Sequence, residues 1–130
     1  MLGESGLTKL EREMIAVTVS SENHCFYCLV AHGSAVRELS DDPQLGERIA
    51  ANFKSAELPR KQEELLNFAR QLTRDPSEIA EDQRKKLKDV GYTDRDIWDI
   101  SAIVGLFNMT NRLASATEME PNSNYHNIAR

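Results

Sequence analysis

The two cysteines of this 130-residue chain, Cys25 and Cys28, stand at C-x-x-C spacing. His32 follows one helical turn later, His24 precedes Cys25 directly, and Glu13 lies a short way upstream. Nothing else in the chain concentrates reactive side chains in this way. Two thiols three residues apart can close a local disulfide with little rearrangement of the chain. Histidine takes or returns a proton near neutral pH, and a carboxylate can orient or charge its ring. Together these residue types offer thiol redox chemistry.

The spacing sharpens that reading if the segment is helical. Residues three or four apart share a helix face, which joins Cys25 to Cys28 and Cys28 to His32. Cys25 then begins the helix and Cys28 falls in or near its first turn. There the free N–H groups and the helix dipole favour thiolate over thiol. Cys28, with His32 on its own face, is expected to be the more acidic thiol. Thioredoxin-style reasoning nominates Cys25 instead, as the sulfur nearer the helix start. Plainer readings compete. A cysteine can be a small buried hydrophobe, His32 a packed core histidine, and Glu13 a solvated acid beside Arg12. A zinc site built on Cys25, Cys28 and His32 needs a fourth ligand, for which His24, a carboxylate or distant His126 are the candidates.

The positioning elements read as helices. Thr8 and Glu11 form a capping-box pattern ahead of a first helix that ends near Ser20 or Ser21. A polar connector over 21–24 leads to a second helix, from about Cys25 to Leu39, whose apolar side carries Leu29, Val30, Val36 and Leu39. Asp41-Asp42-Pro43 breaks it, and Pro43 suits the first turn of a third helix over 44–53. Pro59 opens a fourth, with Leu65, Leu66, Phe68, Ala69 and Leu72 at helical spacing. Asp75-Pro76-Ser77 ends that helix and caps a fifth over 78–90, stopped by Gly91. Thr93, with Asp96 three residues on, caps a long sixth helix to about Ala116. Its apolar residues crowd nearly all round, which predicts a central, buried helix with Trp98 and Phe107 in the core. Asn108, Asn111 and Arg112 interrupt it. Arg112 is expected to pair with an acid and the asparagines to satisfy backbone or interface groups, pocket lining being the alternative. The β-rich window over 15–20 is outweighed by the helix cap upstream, and Pro121 onwards is a polar tail.

Length and composition suit one domain with a single core. The net charge of −5 argues against a nucleic-acid binder. No apolar run approaches the roughly 18 residues needed to span a membrane. The start of the chain has no signal-peptide pattern, so the expected location is cytoplasmic. In a reducing compartment a C-x-x-C pair is catalytic or metal-binding rather than a structural disulfide.

The pattern Glu13, Cys25-Phe26-Tyr27-Cys28, His32 resembles the signature of the AhpD-like alkylhydroperoxidases, within the carboxymuconolactone decarboxylase superfamily. The stretches L-T-K-L-E-R-E-M-I-A, from Leu7, and F-N-M-T-N-R-L-A, from Phe107 to Ala114, resemble its peroxidase-related subgroup. The likeness runs roughly from Gly6 to Pro121. It implies an all-α single AhpD-like domain of about six helices, 1–130 with its core at 7–121 and a polar tail at 122–130. It also implies a homo-oligomer, trimer or hexamer, and a peroxidase cycle. In that cycle Cys28 is the cysteine oxidised by peroxide, Cys25 resolves the sulfenic acid and serves as a proton donor, and His32 and Glu13 relay protons to and from the thiol. The spacing of His32 from Cys28 sides with that order against the thioredoxin-style one. No bound cofactor is required, since two thiols carry both electrons. The reductant is then an external dithiol, lipoamide or a thioredoxin-like protein. The sequence departs from AhpD itself at Tyr27, where a histidine often stands, and members of the subgroup usually carry further helices ahead of the segment that opens this chain. The alternative from another class is a non-catalytic redox-sensing interaction protein or a small metal-binding module.

Overall fold

The computed structural model describes residues 1 and 3–130. Six α-helices follow one another: α1 (Lys9–Glu22), α2 (Phe26–Ser40), α3 (Leu45–Asn52), α4 (Arg60–Arg74), α5 (Glu81–Asp89) and α6 (Asp94–Ala116). Short 3-10 turns sit at Phe53–Ser55, Pro76–Glu78 and Ser123–His126. There is no strand among the described residues, so the fold is all-α, as expected from the periodicity.

The centre of the bundle is α1, not the long α6. It packs against α2, α3, α4 and α6. Met14, Ile15, Ala16, Val17 and Val19 are fully buried on it, and each of its larger apolar side chains contributes about 1.5–3 kcal/mol by leaving water. The β-branched window is helical because the Thr8–Glu11 capping box forms at its start, and because Thr18 returns its hydroxyl to the Met14 carbonyl (2.9 Å). Polar side chains on α1 are buried only with partners. Arg12 donates to the carbonyls of Leu7, Gly3 and Met1, and Tyr92 donates its hydroxyl to Glu11.

Helix α6 buries one face, along Ile97, Ile100, Ile103, Val104, Phe107, Asn111 and Ala114. The opposite side leaves Trp98 72% exposed, with Met109 and Leu113 also open. This corrects the expectation of a helix buried all round with Trp98 in the core; only one side of α6 has helices of this chain against it. Phe107 does lie in the core.

Several boundaries also differ. Asp75 caps the 3-10 turn at Pro76–Glu78, so α5 starts at Glu81, where Gln83 bonds back to the Ala80 N–H. Pro43 stays in the turn before α3. On α2 Leu39 is exposed, while Ser34 and Arg37 are buried. Arg37 is covered because the chain end lies on α2: its guanidinium donates to the carbonyls of Ile128 (2.9 Å) and Tyr125 (2.8 Å). Helices α2 and α3 approach closely where Gly46 meets Gly33; a Cβ on Gly46 would lie 2.8 Å from the Gly33 carbonyl oxygen. That contact fixes the part of α2 that carries His32.

Candidate active site

The site forms where α1 ends, α2 begins and the last turns of α6 pass both. His24 takes a left-handed conformation (φ 52°) and turns the chain out of α1. The Cys25 N–H then donates to the Ser20 carbonyl (3.0 Å), tying the start of α2 to the end of α1. Cys25 is the N-cap residue of α2, and its carbonyl accepts from the Leu29 N–H (2.9 Å). Cys28 falls in the first turn. Both thiols are free, and they are only 2% and 3% exposed. They pack with each other and with Ala114 of α6, and half-buried Tyr27 lies against the same cluster.

Glu13 and His32 are also brought together. His32 Nδ1 lies 2.6 Å from Glu13 Oε2, across the α1–α2 contact. The imidazole stands edge-on to the Phe107 ring, centroids 4.7 Å apart. Glu13 is therefore not a solvated acid beside Arg12, which turns its guanidinium to the N-terminal carbonyls instead. His24 is exposed, and His126 lies against Phe26 at 6.2 Å. Among the described residues, no three His, Cys, Asp or Glu side chains gather as a metal-holding group.

The structure differs from the sequence expectation on what acts on Cys28. Burial pushes its thiol up from 9.0 to about 11, and the hydrogen bond and charge of Cys25 push the same way. Hydrogen bonds from Asn111 and Ser20 pull it down. The dipole of α2 does not make this thiol acidic, because desolvation of a buried sulfur anion outweighs it. Between pH 9 and 11 the folded chain therefore keeps a proton that the unfolded chain has released. Stability should fall as pH rises through that window, by at most about 1.4 kcal/mol per pH unit. Urea unfolding of the reduced protein checks this: the midpoint should drop more steeply over that range in the wild type than in Cys28→Ala.

Sequence reasoning missed Ser20 and Asn23 and underrated Asn111. Asn111 lies in register with Ile100, Ile103, Val104 and Phe107 on the buried face, and is 1% exposed. A polar side chain on a buried stripe must have partners, and that was the available signal. Asn111 Nδ2 donates to Ser20 Oγ (2.9 Å), and Asn23 Nδ2 donates to Asn111 Oδ1 and Asn108 Oδ1 (both 3.0 Å). Among the described residues Arg112 pairs with no acid; it donates to the Asn108 carbonyl (2.8 Å) and Oδ1 (3.0 Å).

Residues 1–51 match the model of the carboxymuconolactone decarboxylase family. The whole chain aligns with an uncharacterised peroxidase-related protein from Silicibacter sp. TM1040, at 60% identity and a TM-score of 0.98, over 68% of that protein. It aligns equally with the alkylhydroperoxidase AhpD core of an uncharacterised peroxidase-related protein from Ralstonia eutropha JMP134, at 39% identity, a TM-score of 0.98 and 68% coverage of that chain. No curated protein matches.

Proposed function

This chain belongs to the AhpD-like group of the carboxymuconolactone decarboxylase superfamily, and we propose that it is a thiol-dependent peroxidase reducing organic or hydrogen peroxides through a Cys25/Cys28 dithiol–disulfide cycle. The observation that carries the reading is the contact of two buried free thiols at the start of α2, with a carboxylate–imidazole pair one turn further on.

The cycle balances on these residues alone plus an external dithiol. A base removes the Cys28 proton, and the sulfur attacks the terminal oxygen of the peroxide. The S–O bond forms as the O–O bond breaks, and the departing alkoxide takes a proton to leave as alcohol. Cys25 then attacks Cys28 Sγ, closing the disulfide and releasing the hydroxyl as water. His32, with Nδ1 held by Glu13, moves the protons in and out. An external dithiol, lipoamide or a thioredoxin-like protein, returns two electrons and two protons. Such a donor belongs to a reducing compartment, and the cytoplasm is the proposed location. No helix among the described residues is long and apolar enough to cross a membrane.

The chain works as a homo-oligomer in this reading. The open apolar side of α6, with Trp98, Met109 and Leu113, supports it, since a monomer gains nothing from exposing these side chains. Sedimentation should show a trimer or larger species at micromolar concentration, and a stable monomer would refute that part.

Thiol titration tests the central reading. One equivalent of hydrogen peroxide should remove both thiols quickly, and a dithiol should restore both. Slow, independent loss of the two would leave the site without peroxidase function.

A further inference from the structure

Both thiols are buried, so a peroxide reaches Cys28 only past a side chain that moves. We infer that Tyr27 is the specificity-determining residue of the site: its ring covers the thiol pair on the solvent side, and its bulk sets which hydroperoxides enter. The inference deepens the peroxidase reading and rests on it for the class of substrate.

The geometry carries it by elimination. Cys25, Cys28 and Ala114 form one packed cluster and are 2%, 3% and 4% exposed. Half-buried Tyr27, the second residue of α2, packs against that cluster and also meets solvent. Among the described residues its hydroxyl has no hydrogen-bond partner, and no side-chain polar atom is buried without one, so the phenol end reaches water. The ring therefore spans from the cluster to the surface and is held by packing alone. Such a ring can swing between staggered rotamers without moving the backbone.

The neighbouring groups lack that freedom. Ala114 is a single methyl on the buried face of α6. His32 is tied to Glu13 at 2.6 Å and stands edge-on to Phe107. Phe26 lies toward His126, outside the cluster. The cavities between α4 and α5, between α4 and α6, and along α2 and α3 are lined by neither cysteine, so none of them is the way in.

The chemistry makes the cover selective. Attack on the terminal peroxide oxygen runs in line with the O–O bond, so the substituent points away from the sulfur. With the bundle enclosing Cys28 on its inner sides, that substituent falls on the Tyr27 side. Hydrogen peroxide carries only a proton there. A branched or aryl hydroperoxide needs the ring to leave, and the wild type should disfavour it.

The test is modification of the reduced protein by two neutral reagents of unequal size, N-ethylmaleimide and pyrenylmaleimide. Both react with the same thiolate, so the ratio of their rates cancels any change in thiol acidity. Tyr27→Ala should raise the pyrenyl-to-ethyl ratio by about tenfold or more, the effect of removing a steric barrier of modest height. Tyr27→Phe keeps the ring and loses the hydroxyl, and should leave the ratio at its wild-type value. Circular dichroism identifies the folded variants, and Tyr27→Leu takes the place of Tyr27→Ala if the latter does not fold. An unchanged ratio in the folded variant would overturn the inference, as would Tyr27→Phe matching Tyr27→Ala. The preference for cumene hydroperoxide over hydrogen peroxide, read as the ratio of kcat/KM values, should rise in the same variants; if it stays fixed while the maleimide ratio moves, Tyr27 does not determine specificity. If the maleimide ratio moves and no variant, nor the wild type, consumes peroxide, Tyr27 stands as the cover of the thiols and the peroxidase reading falls.

Discussion

Cys28→Ser is expected to abolish peroxide consumption, whereas Cys25→Ser should permit one round of oxidation that stalls at sulfenic acid on Cys28. The asymmetry follows from position. Cys28 lies in the first turn of α2, with His32 one turn further along the same helix. Cys25, the N-cap residue, contacts Cys28 and is placed to close the disulfide. Burial keeps the resting Cys28 protonated, so a base must act before it attacks, and a serine hydroxyl has neither the nucleophilicity nor the redox chemistry to replace it. Mass spectrometry of each single-cysteine variant after a brief peroxide pulse reads the outcome. Sulfenic acid on Cys25 in Cys28→Ser, with none on Cys28 in Cys25→Ser, would reverse the order of the two thiols. Loss of Cys25 also removes two influences that raise the Cys28 thiol, so Cys28 in Cys25→Ser should alkylate at lower pH than in the wild type.

The second large effect is expected at the Glu13–His32 pair. His32→Gln and Glu13→Gln should each slow peroxide-driven thiol loss by about 10²–10⁴-fold, the range of a lost general acid–base. The two should be far from additive, because Glu13 works through the imidazole it holds at 2.6 Å. Both side chains are partly open to solvent, which makes their contribution to stability small. Rapid-mixing thiol assays on proteins with unchanged melting temperature would check this. Full activity in His32→Gln would remove the imidazole from the mechanism and leave the proton traffic to Cys25.

The sequence by itself determined the helical fold and much of the site. The capping patterns at Thr8/Glu11 and Thr93/Asp96 are local, so they fixed the starts of α1 and α6 without reference to the rest of the chain. The three-residue spacing of Cys25 and Cys28 placed both thiols at one helix start for the same reason, and the likeness to known proteins around Glu13 and His32 marked the pair as partners. Only the tertiary structure decided which helix is central. Hydrophobic periodicity shows that a face is apolar but not whether another helix covers it, so α1 is enclosed while Trp98 on α6 stays open. Only the tertiary structure could join Ser20, Asn23 and Asn111 by hydrogen bonds, because they come from the end of α1, the connector and α6, far apart along the chain. It also set the state of the Cys28 thiol. The helix dipole is a property of the local chain, but burial belongs to the packed molecule, and for a sulfur anion taken out of water burial is the larger effect.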